Sequence, residues 1–260
     1  MSVKKMVIYV DSETGEVIRQ RSFSHTPKAQ QNPKQFFWLF YRIGERFPYS
    51  GSEIVAISRL VQNMGENNVL MRNRKDLISK AMLPLCVAEE KTLGYKRIKA
   101  WKQSGLLLEA DGVFYLNSQV VRKGSLRSVN REELGDAGVR IVRICYDGIQ
   151  AMAKGSMVRK LGKLVALLPY LNLEHNVLSD NIDELEWDKV EPLPPEEIAA
   201  IWGNKATSSR FVENYLLETR IQIRGYEQNV VKLVGGKYMI NPRIFYGGSQ
   251  FKEILKNFSE

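Results

Sequence analysis

The spacing of apolar and polar positions divides this chain into short elements, and their order recurs. Residues 6–10 (MVIYV) and 17–18 (VI) flank the turn-forming DSETG, which predicts an N-terminal β-hairpin. Polar residues 24–34, with two prolines, read as a connector. From Gln35 the run FFWLFY is apolar on every side, which predicts a buried helix packed into the core or against a second copy of the chain. SEIVAISRLVQNM (52–64) spaces Ile54, Ile57, Leu60, Val61 and Met64 by three and four, an amphipathic helix that Ser52 can cap. RKDLISKAM (74–82) predicts another helix, with Leu77, Ile78 and Met82 inward.

KTLGYKRIKAWKQ (91–103) then offers Ile98 and Trp101 three apart, with Lys96, Arg97, Lys99 and Lys102 around them. Gly94 argues against an unbroken helix, and Ser104-Gly105 is a helix stop. Leu106-Leu107-Leu108 and Val113-Phe114-Tyr115-Leu116 flank Asp111-Gly112, a strong hairpin signal. Downstream, 139–153 and 156–171 predict helices broken at Lys154-Gly155. An acidic loop at 181–195 leads into a helix beginning PPEE. The next helix, SSRFVENYLLET (208–219), has Thr207 or Ser208 as its cap. A hairpin turns on Gly235-Gly236, and a short helix over 250–258 follows.

Two segments occur twice. QNMGENNVLMRN (62–73) aligns without gaps with YLNLEHNVLSDN (170–181), matching at Glu66/Glu174, Asn68/Asn176, Val69/Val177, Leu70/Leu178 and Asn73/Asn181. DGVFYLNSQVVRKGS (111–125) aligns with GGKYMINPRIFYGGS (235–249), matching at the hairpin glycine, the aromatic, Asn117/Asn241 and the closing Gly-Ser. The shared order implies a duplicated helix–helix–hairpin unit. A basic helix followed at once by a hairpin is the recognition helix and wing of a winged helix-turn-helix. The expected fold is therefore α+β and mainly helical, with two tandem winged helix-turn-helix domains and an N-terminal β-hairpin. The expected boundaries are 1–34 for the hairpin and connector, 35–127 for the first domain, 128–138 for a linker and 139–260 for the second.

Charge separates the copies. Residues 71–130 hold twelve Lys or Arg against five Asp or Glu (net +7), whereas 171–220 hold four against eleven (net −7). The whole chain carries +9, with a pI near 9.4. Duplex DNA is bound largely through phosphate neutralisation, so the first copy suits that partner. Its expected contacts are Lys91, Tyr95, Lys96, Arg97, Lys99 and Lys102 on the helix, with Arg122, Lys123 and Arg127 beyond the hairpin. The second copy retains a basic tip of Lys205, Ser208, Ser209 and Arg210, and its 181–195 loop suits a protein partner. A homodimer through the aromatic run is a further expectation.

No enzyme signature is present: the two histidines, His25 and His175, form no His-x-His pair, and there is no GxxxxGK[ST], CxxC or HExxH. No catalytic residue, metal ligand or cofactor is expected. Cys86 and Cys145 sit in apolar contexts, as buried thiols do. No apolar run approaches the ~18 residues of a membrane span, and no secretory apolar segment opens the chain, so a cytoplasmic location without membrane contact is expected.

LVALLPYLNLEHNVLSDN (164–181) and KYMINPRIFYGG (237–248), with Asn241-Pro242 and Phe245 at a wing strand and turn, resemble the RepL-like winged-helix replication proteins of small Gram-positive plasmids and their phages. The resemblance covers about a third of the chain. It implies a sequence-specific duplex-binding protein of plasmid or phage replication initiation. A transcriptional regulator and a winged-helix protein–protein module are the alternatives.

Overall fold

Strand pairing between the two halves of the chain organises the molecule. The computed structural model describes residues 4–10, 17–24, 36–42, 45, 47–72, 76–124, 138–203 and 209–258. The first part contains the hairpin β1 (Lys4–Val10) and β2 (Val17–Ser24), then β3 (Phe36–Arg42) and α1 (Gly51–Asn63). Next come β4 (Met71–Arg72), β5 (Asp76–Leu77), α2 (Leu83–Val87), α3 (Lys91–Gln103), the hairpin β6 (Leu107–Ala110) and β7 (Val113–Leu116), and β8 (Val121–Lys123). The second part runs β9 (Val139–Cys145), α4 (Tyr146–Ala151), α5 (Met157–Val165), β10 (Leu171–Asn172), β11 (Val177–Leu178), α6 (Pro195–Ile201) and α7 (Ser209–Leu217). It closes with β12 (Arg220–Ile223), β13 (Tyr226–Asn229), β14 (Val231–Val234), β15 (Lys237–Ile240), β16 (Phe245–Tyr246) and α8 (Phe251–Lys256). The described residues are thus mixed α/β, with eight α-helices and several small antiparallel sheets, rather than mainly helical.

One expected helix is a strand, and so is the first part of another, 139–153, whose second part is the helix α4. FFWLFYR forms β3, and VRIVRIC forms β9; they pair antiparallel along all seven residues, from Phe36↔Cys145 to Arg42↔Val139. A strand buried on both faces is apolar throughout, so the aromatic run fits β3 as well as it fits a helix. Its partner is the second half of the same chain, and the run offers no helix to a homodimer. The sheet order is β16-β9-β3-β8.

That sheet has internal symmetry. β8 pairs with β3 at Leu39↔Val121 and Trp38↔Arg122, and β16 pairs with β9 at Phe245↔Ile144 and Tyr246↔Arg143. The repeat matches Val121 with Phe245, which makes Leu39 equivalent to Ile144 and Trp38 equivalent to Arg143. Trp38 is paired with Arg143 directly. The local two-fold between the units therefore passes through that pair. Residues opposite one another share a face. Phe37, Leu39, Val121, Val142, Ile144 and Phe245 enter one core with Ile54 and Ile57 of α1 and Leu161 and Leu164 of α5. On the other face the Arg143 guanidinium lies 4.8 Å from the Trp38 ring centroid, 5.1 Å from Tyr246 and 5.6 Å from Phe36.

Residues 76–82, the described part of RKDLISKAM, form no helix either. Part of this stretch forms β5, with Leu77 54% exposed instead of inward; Ile78 is buried as expected. The helix begins later, at Leu83-Pro84, where the fixed φ of proline suits a first turn. α1 is capped by Ser50 instead of Ser52: the Ser50 side chain accepts from the Glu53 backbone N–H, and Glu53 accepts from the Ser50 N–H at 2.8 Å. Residues 156–171 stop being α-helical at Val165 and tighten into a 3₁₀ turn at Leu168–Tyr170. The hairpin β12–β13, on Arg224 and Gly225 at positive φ, stands between α7 and β14 and has no counterpart after α3. The expected linker at 128–138 lies, except for Gly138, outside the described residues.

Candidate nucleic-acid interface

The helix α3 is unbroken in spite of Gly94. A Cβ there would stand 2.2 Å from the Pro84 carbonyl oxygen, so glycine lets α2 and α3 pack backbone to backbone. Gly105, at φ +73°, ends the helix, and Asp111 and Gly112, at φ +51° and +75°, turn the hairpin that follows.

Trp101 and Arg97 lock α3 against α1. Trp101 is 1% exposed, and its indole N–H donates to Glu53 Oε1 at 2.9 Å, so Glu53 closes the end of α1 and holds α3 at once. The Arg97 guanidinium donates to the Val87 carbonyl and to Ser52 Oγ. Burial lowers the Arg97 pKa; the Glu53 charge opposes that shift and Arg59 adds to it. Arg97, expected at bases or phosphates, is thus committed to an internal contact.

The outward face holds Lys91, Tyr95, Lys96, Lys99 and Lys102, all exposed. Lys91 lies 6.0 Å from the Tyr95 ring centroid. Among the described residues, no ion pair involves Lys96 or Lys99. Lys102 turns toward the hairpin instead: it pairs with Glu109 and stands 5.4 Å from the Phe114 ring. That hydrogen bond pulls the Glu109 carboxyl below its ordinary pKa, and the Lys80 charge, missed from sequence, helps to hold it there.

The remaining expected contacts are not gathered around α3. Lys123 donates to the Met64 carbonyl at 3.0 Å, at the C-terminal end of α1, where a cation meets the negative helix terminus. Trp101 and Arg97 grip the opposite end of α1, eleven residues away, or about 16 Å of helix. Arg122 sits in the central sheet opposite Trp38. Arg127, Lys205 and Ser208 lie outside the described residues, as does Thr207.

In the second unit, Arg210 is exposed at the start of α7, while Ser209 Oγ donates to Glu196. The inner side of α7, Val212 and Leu216, is buried, and its Phe211 and Tyr215 lie beside Lys163 of α5. Lys163 stands 4.2 Å from the Tyr215 ring centroid, 4.5 Å from Trp202 and 5.3 Å from Phe211, and burial lowers its pKa. These aromatics enclose a lysine of the chain itself.

No family model, curated protein or solved structure matches this chain.

The acidic loop is fastened down. Asn181 donates to the Lys189 carbonyl and accepts from the Glu191 N–H, both at 2.8 Å, and Asp183 pairs with the buried Arg140. Among the described residues, no cluster of three His, Cys, Asp or Glu could hold a metal ion, and no helix is long and apolar enough to cross a membrane. Sequence reading also passed over Arg59 and Lys154. Arg59 is the one cation of α1, set on its otherwise short polar side, which was the available signal.

Proposed function

We propose that this protein has two tandem winged helices, that the first of them binds duplex DNA in a sequence-specific manner, and that the protein acts in plasmid or phage replication initiation. The carrying observation is the exposed row Lys91, Tyr95, Lys96 and Lys99 on a helix whose other side is locked by Trp101 and Arg97 and which runs straight into a hairpin. A rigid helix with cations outward can enter the major groove and bring those cations to phosphates and base edges. The second unit, joined to the first at Trp38–Arg143, lacks such a row: its net charge over 171–220 is −7, and the extra hairpin β12–β13 separates α7 from β14, so the first unit carries the duplex contact. The replication role is supported by the resemblance of 164–181 and 237–248 to RepL-like proteins.

The test is duplex binding by fluorescence anisotropy across a salt series. Lys96→Ala with Lys99→Ala should weaken binding about tenfold and shrink the slope of log K against log[salt] by about 1.8, since each phosphate contact contributes about 0.9. An unchanged affinity and slope would overturn the duplex-binding reading. Footprinting along a whole plasmid or phage genome tests the rest: sites clustered at an origin support replication initiation, and sites confined to promoters would make the protein a transcriptional regulator.

A further inference from the structure

A cleft of about 510 Å³ opens where the two units meet. Ser52 and Arg59 of α1, the carboxylate of Glu89, Leu93 and Arg97 of α3, and Lys154 from the turn between α4 and α5 are among its walls. Arg59 and Lys154 are exposed, and neither has an ion pair among the described residues. Arg59 and Lys154 thus bring two cations to one opening, beside Arg97, whose guanidinium is held by Val87 and Ser52 and whose charge Arg59 opposes. Cations converge in this way where an anion completes the site.

The position of the cleft relative to α3 indicates which anion. At about 3.6 residues per turn, Lys96 and Lys99 point away from the buried Gly94–Trp101 side. Lys102 leans to one flank, where it meets Glu109 of the hairpin. Leu93 and Arg97 lie on the opposite flank, in the cleft wall. The hairpin and the cleft thus border α3 on its two sides. A helix in the major groove is likewise bordered by two phosphate backbones, about 12 Å apart.

We infer that Arg59 and Lys154 grip the phosphate backbone of the DNA strand on the side of α3 away from the hairpin. This rests on the duplex-binding reading above and adds a contact outside the duplicated recognition elements. Because Lys154 belongs to the second half of the chain, the grip ties both halves to one duplex. The contact is to phosphate alone, so it strengthens binding to any sequence without changing which sequence is preferred.

Arg59→Gln with Lys154→Gln tests it in the full-length protein, by anisotropy against a preferred duplex and a scrambled duplex of equal length. The expected result is about a tenfold loss on both and a fall of about 1.8 in the salt slope, with the ratio of the two affinities preserved. Circular-dichroism melting checks folding; should the double variant unfold, Lys154→Gln alone should lower the slope by about 0.9. If Lys96→Ala with Lys99→Ala weakens binding while the cleft variants keep wild-type affinity and slope, the grip is overturned and the duplex-binding reading stands. If neither set changes binding, both are overturned. Unaltered duplex binding together with saturable pyrophosphate binding that the cleft variant loses would assign the cleft to a small anion, and would also overturn the grip.

Discussion

Asn68 and Asn176 hold the same position in the two halves of the chain and make the same pair of hydrogen bonds. Asn68 Nδ2 donates to the carbonyls of Leu116 and Val121 at 3.0 and 2.8 Å; Asn176 Nδ2 donates to those of Ile240 and Phe245 at 2.8 and 2.9 Å. Both asparagines have φ of 59°. The acceptors are themselves equivalent, 124 residues apart in each case. Each asparagine ties the loop after one helix to the end of the hairpin and to the sheet strand that follows it.

Replacing either asparagine with Ala should therefore destabilise the fold by about 2–4 kcal/mol, because two buried carbonyls lose their donor and a left-handed backbone loses a residue suited to it. Asn176→Gly keeps the backbone freedom and should cost about 1 kcal/mol less than Asn176→Ala. Urea midpoints at constant slope measure this; equal midpoints for the two variants would show that the backbone contribution is absent.

Gly94→Ala separates helix propensity from packing. In an exposed helix the change gains about 1 kcal/mol. Here the added Cβ meets the Pro84 backbone at 2.2 Å, so α2 must move off α3. A net loss of about 1–3 kcal/mol is expected, seen as a lower thermal midpoint. A raised midpoint would contradict the close approach.

Arg97 and Lys96 are sequence neighbours with opposite duties. Arg97→Ala leaves the Val87 carbonyl and Ser52 hydroxyl without their donor and should lower stability by about 1–3 kcal/mol. Lys96→Ala should change stability by less than about 0.5 kcal/mol while reducing duplex affinity. Chemical denaturation and anisotropy on the same two variants check both halves of the statement.

The cysteines should differ in reactivity and in their effect on stability. Cys145 is fully buried, and desolvation raises its thiol pKa to about 12; Cys86 is half-buried, and burial raises its pKa against the opposing charge of Arg72. A thiol reagent at pH 8 should modify Cys86 first and Cys145 only after unfolding. In the unfolded chain a thiol ionises near about 8.5, so between that pH and the folded value the unfolded state binds fewer protons. The Cys145 contribution is therefore fully present below about pH 8.5 and is lost as the pH rises toward 12. Cys145→Ala should flatten the fall in stability measured between about pH 8.5 and 10.

Much of the architecture was legible in residue types that answer to local physics. The hairpin turns needed Asp-Gly and Gly-Gly at positive φ, and the paired asparagines marked left-handed positions, so the repeat could be seen without coordinates. The basic face of α3 was legible too, because the spacing of Ile98 and Trp101 sets the inward side. The state of FFWLFY was not: an apolar run of that length satisfies a buried helix and a two-sided buried strand equally, and only the matching strand about a hundred residues later decides between them. VRIVRIC was ambiguous because Arg140 and Arg143, three apart, mimic a helical face; in β9 they lie on opposite sides of the sheet, one paired with Asp183 and one stacked among aromatics.

Site residues divide along the same line. That α3 is basic follows from sequence. That Arg97 turns inward, that Lys123 serves the far end of α1, and that Arg59 and Lys154 share a cleft depend on contacts between segments distant in the chain. Local preference sets turns, caps and periodicity within a few bonds of each residue. Which charge is spent inside and which is left to a partner is decided only when remote segments compete for the same donors and acceptors in the folded core.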